Sequence, residues 1–130
     1  MFGSGELLGL YFDGIPLVFQ FNVLLALTIG TTIGIIFGVI PGLSATIGVA
    51  IFTPLTYTMS APVAFAILLG IYCGSVYGGS ISAILINIPG TASSVMTRLD
   101  GHPLALKGEA GRAIGLATTS SFVGGIISVF

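Results

Sequence analysis

The sequence predicts an all-α integral membrane protein, a multi-span helical bundle whose helices are broken at Pro and Gly. The first observation is composition, since 55% of the residues are hydrophobic, 5% are charged and the mean hydropathy is +1.16. Secondly, residues 14–97 contain no Asp, Glu, Lys or Arg, and a domain surrounded by water needs such residues on its surface. Thirdly, Ile-Pro-Gly interrupts the apolar sequence twice, at residues 40–42 and 88–90. The lipid bilayer is therefore the expected environment.

The N-terminal residues 1–21 are expected to form an interfacial segment. They lack the basic stretch that begins a secretory signal, and they carry the acidic residues Glu6 and Asp13. A short amphipathic segment lying on the membrane surface accounts for both properties.

Residues 22–90 are expected to form broken transmembrane helices. At 1.5 Å per residue, residues 22–40 approach the roughly 30 Å thickness of the hydrocarbon core, so this stretch is predicted to span it. The next apolar stretch, residues 45–59, is shorter and contains Pro54. Its length is compatible with either a tilted span or a re-entrant segment. Residues 63–88 are predicted to form a third, long helix that can cross with tilt.

Residues 91–112 are predicted to be an aqueous loop. All basic residues of the chain lie in it, namely Arg98, Lys107 and Arg112. The pairs Asp100-Gly101 and His102-Pro103 favour a reversal of the backbone. The positive-inside rule makes this loop cytoplasmic. The N-terminus is then outside when all three preceding segments cross, and inside when the second is re-entrant.

Residues 113–130 are predicted to begin a further transmembrane helix. This apolar stretch ends on Phe130 without a polar flank. The ending predicts a truncated helix, and with it a chain that is the front part of a larger protein.

The sequences around the two Ile-Pro-Gly breaks predict an internal repeat. Residues 30–43, GTTIGIIFGVIPGL, align with residues 78–91, GGSISAILINIPGT, at a constant offset of 48. Small hydroxyl residues follow each break: Ser44, Thr46, Thr91, Ser93 and Ser94. Such residues either cap the next helix at the membrane surface or help its N-terminus to bind an anion. Paired Pro/Gly-broken segments are typical of transport proteins with internal repeats.

Glycine spacing predicts close helix packing. Glycines recur every fourth position in two of the predicted helices, at Gly30, Gly34 and Gly38 and at Gly70, Gly74 and Gly78. Small residues at this spacing form a flat stripe that lets two helices approach closely. Asn87, just before the second break, either makes an interhelical hydrogen bond or contacts a ligand.

Other function classes are disfavoured. One His, one Cys and no carboxylate in the apolar region provide neither a metal site nor a nucleophile with a base, so we expect no enzyme, no metal and no cofactor. Three basic residues provide no footprint for nucleic acid. Cys73 is expected to be a small buried residue. A coupling cation remains possible, because carbonyls and hydroxyls can coordinate sodium without a carboxylate.

Four ordered motifs carry a family resemblance. They are Pro41-Gly42-Leu43, the GIYCGSVYGGS stretch at residues 70–80, Pro89-Gly90-Thr91, and DGHPLALKG at residues 100–108. Together they resemble the large membrane subunit of the tripartite tricarboxylate transporters, the TctA-type proteins. The resemblance implies an N-terminal portion of a multi-pass bacterial inner-membrane permease that imports di- or tricarboxylates such as citrate, driven by sodium or protons. It also implies two partners, a small four-helix membrane subunit and a periplasmic solute-binding protein.

The resulting hypothesis assigns carboxylate binding to the two breaks and their flanks. The candidate substrate-binding residues are Pro41, Gly42, Leu43, Ser44, Thr46, Asn87, Pro89, Gly90, Thr91, Ser93 and Ser94. Two alternatives remain: a structural or assembly half of a transporter whose site lies elsewhere, and a channel lined by Ser and Thr.

Overall fold

The computed structural model describes residues 3–130, which form six α-helices and no strand. The helices are α1 (Ser4–Val18), α2 (Phe21–Val39), α3 (Ala45–Thr56), α4 (Ala61–Ile86), α5 (Val95–Leu106) and α6 (Ala110–Val129). A short 3-10 turn, Ala92–Ser94, leads into α5. Three of these helices, α2, α4 and α6, are long and apolar enough to cross a membrane. The predicted class, an all-α membrane protein, is therefore confirmed.

The predicted interfacial segment, residues 1–21, corresponds largely to α1. Its first two residues lie outside the described part of the chain. The 15-residue helix α1 has no buried residue, so its contribution to the packing of the bundle is small.

The interface between α2 and α4 is the centre of the bundle. Six glycines form it, and a Cβ atom added to any of them would overlap a backbone carbonyl of the other helix. The pairs are Gly30 with Ile67, Gly34 with Ile71, Gly38 with Ser75, Gly70 with Leu27, Gly74 with Thr31 and Gly78 with Ile35. These are the six glycines whose spacing predicted close packing. Because only glycine permits this approach, the two backbones are in van der Waals contact over three turns.

The direction of α4 follows from these pairs. Each glycine of α2 faces a residue 37 positions further along, and each glycine of α4 faces one 43 positions earlier. A constant difference means that the two helices run parallel. The chain between them must therefore return to the end of the bundle where α2 begins. A membrane that is crossed by α2 and α4 is thus also crossed, in the opposite direction, by residues 40–60.

The helix α3 occupies this return segment. Its Gly48 packs against Ile71 of α4, where an added Cβ atom would lie 3.0 Å from the Ile71 Cγ2. Its Phe52 meets Phe37 of α2 edge to face, with ring centroids 6.1 Å apart and planes at 79°. Twelve helical residues reach about 18 Å, so the flanking linkers complete the return. Of the two arrangements open for residues 45–59, this geometry corresponds to the tilted span.

The prediction that residues 91–112 lack regular secondary structure is wrong, because α5 occupies the middle of this segment. The turn-forming residues Gly101 and Pro103 both lie inside this helix. Gly101 is buried, and a Cβ atom there would come within 2.6 Å of the Ile84 Cγ1. The Nδ1 of His102 lies 3.0 Å from the carbonyl oxygen of Ile84. The glycine therefore permits close packing on α4 rather than a turn, and these contacts offset the hydrogen bond that Pro103 cannot donate.

The helix α6 runs back along α4. It begins at Ala110, beside the end of α5, and reaches Tyr77 of α4 at Thr118, where the two side-chain oxygens lie 2.8 Å apart. It starts three residues earlier than the predicted segment 113–130. Cys73, predicted to be buried, is exposed on α4, because the buried face of that helix is occupied by the glycines and Ile71.

Candidate functional site

The first break, between α2 and α3, is an open turn. The helix α2 ends at Val39 and is followed by Ile40, whose backbone is extended. Gly42 has a φ of +94°, a conformation that favours glycine. Nothing lies within 4 Å of an added Cβ atom at Gly42. Ser44 then caps α3, since its Oγ accepts a hydrogen bond from the N–H of Ile47 at 3.4 Å.

The second break, after α4, is packed against the bundle. The helix α4 ends at Ile86 and is followed by its cap, Asn87, which adopts the left-handed conformation with a φ of +60°. Gly90 then lies between α2 and α4, where an added Cβ atom would overlap the Gly38 carbonyl and lie 2.9 Å from the Gly79 Cα. The Gly90 N–H points toward the Gly79 carbonyl oxygen at 3.4 Å.

This packing fixes the level of the second break along α4. Gly79 precedes the last helical residue, Ile86, by seven positions, or about 10 Å at 1.5 Å per residue. The chain therefore folds back by about two turns after leaving α4. As a result, the second break reaches the end of α2, where the first break begins.

Residues from both breaks line one small cavity of about 290 Å³ between α3, α4 and the 3-10 turn that leads into α5. Its lining consists of Ser44, Ala45, Thr46, Tyr72, Val76, Thr91, Ala92 and Ser93. None of these residues is charged. The volume lies at the lower limit of small-molecule sites, which suits a small organic molecule.

Two helical N-termini border this cavity, that of α3 and that of the 3-10 turn leading into α5. The first amides of a helix have no intrahelical acceptor, and those of Ala45 and Thr46 have no backbone partner within residues 3–130. The same is true of the amides of Ala92 and Ser93 at the 3-10 turn. Four backbone donors from two separate segments are therefore available at one site.

The structure brings four of the predicted site residues together and separates the others from the cavity. Ser44, Thr46, Thr91 and Ser93 line it. Ser94 is 1% exposed; its Oγ donates to the Thr91 carbonyl oxygen at 2.8 Å and accepts from the Thr91 N–H at 3.3 Å. Ser94 thus caps the turn. The remaining predicted residues shape the two breaks without lining the cavity: Pro41, Gly42, Leu43, Asn87, Pro89 and Gly90.

Four residues that line the cavity were not among the predicted site residues: Ala45, Tyr72, Val76 and Ala92. Tyr72 lines the cavity as its one aromatic residue. Gly79, which does not line the cavity, packs against the second break. A Cβ atom at Gly79 would lie 2.6 Å from the Thr91 Oγ1. Gly79 is the second glycine of the Gly-Gly pair in GIYCGSVYGGS, outside the four-residue stripe. In the sequence, a second glycine directly after a glycine of the stripe indicates that another segment also approaches the backbone of α4 closely.

The fold and the cavity define a class of protein. Several long apolar helices, two breaks at Pro-Gly and an uncharged cavity with hydroxyl residues in its lining are properties of a multi-pass membrane transport protein.

Comparison with known proteins identifies the family. The family model described as "Tripartite tricarboxylate transporter TctA family" matches residues 24–130, so the chain belongs to this family. It is also 43% identical, over 100 residues, to a protein of Agrobacterium vitis described as "Uncharacterized 52.8 kDa protein in TAR-I ttuC' 3'region". That alignment covers 77% of this chain and 20% of the relative. The chain thus spans about a fifth of the length of that relative. No solved structure matches it significantly.

Proposed function

We propose that this chain is part of the membrane permease of a binding-protein-dependent transporter that imports di- or tricarboxylates, such as citrate, across the bacterial inner membrane. Its partners are a small four-helix membrane subunit and a periplasmic solute-binding protein. Membership of the TctA family supports a transporter rather than an enzyme. The substrate, the partners and the energy source are parts of the proposal.

The observation that carries the proposal is the meeting of the two breaks at one cavity. Hydroxyl groups from both sides, those of Ser44, Thr46, Thr91 and Ser93, line it. Hydroxyl groups and backbone N–H groups both donate hydrogen bonds, and no carboxylate competes with a bound anion there. The cavity therefore suits a ligand rich in acceptor oxygens.

Two donor sets suit a ligand with two carboxylates. One set is the N-terminus of α3, and the other is the turn that leads into α5. Amides at a helix N-terminus bind anions through hydrogen bonds and the helix dipole. Each set can hold one carboxylate group, so a di- or tricarboxylate bridges the two breaks. No Lys, Arg or His lines this cavity, so within residues 3–130 the dipoles and hydroxyls provide the attraction.

In this proposal, the entry of a coupling cation, either sodium or a proton, drives the import of the carboxylate. The apolar stretch at residues 14–97 has no Asp or Glu, so a cation bound there uses hydroxyl and carbonyl oxygens.

The test is carboxylate uptake by the full-length transporter, assembled with its partner subunits, carrying Thr46→Val. Thr46 lines the cavity and makes no side-chain hydrogen bond within residues 3–130, so the change removes a ligand donor and leaves the fold intact. A hydrogen bond to a charged group contributes about 1.5–3 kcal/mol. Uptake at low substrate concentration should therefore fall by roughly 10- to 100-fold, and Ser93→Ala should have a similar effect.

The matched control is Thr28→Val. Thr28 lies on the exposed side of α2 with its hydroxyl bonded to the Leu24 carbonyl oxygen at 2.8 Å, and uptake should be unchanged. Normal uptake by both cavity variants, at normal expression, would reduce the breaks to structural elements and place the substrate site elsewhere. Gly90→Ala is unsuitable for this test, because the added methyl group would overlap the Gly38 carbonyl.

A further inference from the structure

The outer face of α5 is apolar, although the helix follows the last membrane-spanning turns of α4. Its inner face borders α4 and α6 through Thr97, Gly101 and Leu104. On the opposite side, four apolar residues at spacings of three, four and three positions form one stripe along the helix. This α5 stripe consists of Met96, Leu99, Pro103 and Leu106. Its Met and two Leu residues are 55–76% exposed, so the contacts of the bundle do not account for it.

The register between α2 and α4 gives the level of α5 in the membrane. The helix α2 has 19 residues, or about 28 Å, close to the roughly 30 Å of the hydrocarbon core. The 37-residue offset of the glycine pairs places its last residue, Val39, level with Val76 of α4. From there α4 continues to Ile86.

The second break returns the chain to a level just beyond the end of α2. Thr91 packs against Gly79, three residues past Val76 and thus about 5 Å further along α4. The headgroup regions add about 5–8 Å to each side of the hydrocarbon core. The helix α5, which starts at Val95 and packs on Ile84, therefore begins among the lipid headgroups.

Two basic residues lie on either side of the α5 stripe. Arg98 is on one side in helical projection, and Lys107, the C-cap of α5, is on the other. Neither forms an ion pair within residues 3–130, where the ion pair found joins Arg112 to Glu109 at 3.3 Å. With Asp100 as the one acidic residue, α5 and its cap have two positive charges against one negative charge. Basic residues beside an apolar face are typical of a helix that lies on an anionic membrane.

We propose that the α5 stripe binds the surface of the bilayer, and that Arg98 and Lys107 contact the phosphate groups of anionic lipids such as phosphatidylglycerol. The apolar side chains of the stripe enter the boundary between headgroups and acyl chains. Lipid is the occupant because the level of α5 and the sign of its charge both match the headgroup region. No residue of this surface lines the cavity between the two breaks, so the proposal is independent of the carboxylate site.

The first experiment measures the position of the stripe in the bilayer. The full-length transporter, freed of other cysteines and assembled with its partner subunits in vesicles containing phosphatidylglycerol, carries a fluorophore at Leu99→Cys. Lipids brominated on the acyl chain should quench this label more strongly than soluble iodide does. The control label at Glu109→Cys, between α5 and α6, should show the reverse order.

The second experiment measures the role of charge. The full-length transporter is purified in detergent, and its melting temperature is followed as phosphatidylglycerol or phosphatidylcholine is added. A ligand that binds the folded state raises the melting temperature as it saturates. Each basic residue near an anionic surface strengthens binding about fivefold, so the double variant Arg98→Gln/Lys107→Gln should need roughly 25-fold more phosphatidylglycerol for half-saturation. The matched control, Arg112→Gln, removes a cation that is already paired with Glu109 and should behave like the wild type.

Three results would overturn the proposal. Protection of the Leu99→Cys label from both quenchers would show that protein covers the stripe. Equal stabilisation of the wild type by the two lipids would remove the role of charge. A loss in Arg112→Gln as large as that in the double variant would show that any basic residue of this segment has the same effect. None of these measurements involves carboxylate binding, so their failure leaves the proposed transport function untouched.

Discussion

The two broken segments share one sequence pattern and differ in structure. Each consists of a long helix, an Ile-Pro-Gly break and a 12-residue helix, α3 in the first segment and α5 in the second. In the first segment the glycine of the break, Gly42, is exposed, has a positive φ and touches nothing. In the second, Gly90 is buried between two helices. The same tripeptide is thus a turn in one place and a packing contact in the other.

The short helices differ in the same way. The helix α3 leads back along α4, so the first segment forms a hairpin across the bundle. The helix α5 stays at the far end of α4, fixed by Gly101 and His102, and the return follows only with α6. The two segments therefore share the break and its hydroxyl residues but not the path of the chain beyond them.

The largest difference should come from placing alanine at the glycine of each break. Gly90→Ala forces a methyl group against backbone that cannot move aside, so we expect a loss of about 3 kcal/mol in the free energy of unfolding. Gly42→Ala imposes only the cost of a left-handed backbone, about 1 kcal/mol. The amount and melting temperature of the full-length protein extracted from membranes would measure both. Equal losses would contradict the assignment of one break as packed and the other as open.

A smaller difference is expected from the glycines that hold the short helices. Gly101→Ala meets the Ile84 Cγ1 at 2.6 Å, close to the backbone of a residue that is 1% exposed, and should destabilise by about 2 kcal/mol. Gly48→Ala meets the terminal Cγ2 of Ile71 at 3.0 Å. Because alanine favours helix by about 1 kcal/mol, this second change should be close to neutral. Thermal unfolding in detergent is the measurement, and a larger loss at Gly48 would reverse the comparison.

The smallest effect concerns a contact that only the second segment has. His102→Ala removes the hydrogen bond to the Ile84 carbonyl oxygen and should cost about 1 kcal/mol. His102→Asn retains a side-chain donor near the Nδ1 position and should recover part of that loss. Full stability of the alanine variant would show that Gly101 alone attaches α5 to α4.

Much of the fold could be predicted from the sequence, because bilayer thickness and glycine spacing are local properties. The long helices α2 and α4 and the six glycines between them follow from hydropathy and from a four-residue period. The helix α5 could not be predicted in this way. Asp100-Gly101 and His102-Pro103 are turn pairs by propensity, and the contacts with Ile84 that override the propensity are tertiary.

The candidate site could be predicted only in part, because some of its residues are used in tertiary or capping contacts that the sequence does not reveal. Hydroxyls after a break are visible in sequence, and Ser44, Thr46, Thr91 and Ser93 do line one cavity. Ser94 has the same chemistry but caps the turn at Thr91, and Asn87 supports a left-handed backbone. A sequence shows which groups can donate hydrogen bonds, but only the folded chain shows which of them are already used.

The glycine stripes also raise a question of alignment. Contacts that repeat every four residues look alike after a displacement of four residues, about 6 Å, so the stripes alone do not specify a single register between α2 and α4. Gly90 touches Gly38 and Gly79 at once, and this contact does not repeat along the interface. The second break therefore removes the degeneracy of a periodic surface and selects one register for the whole bundle.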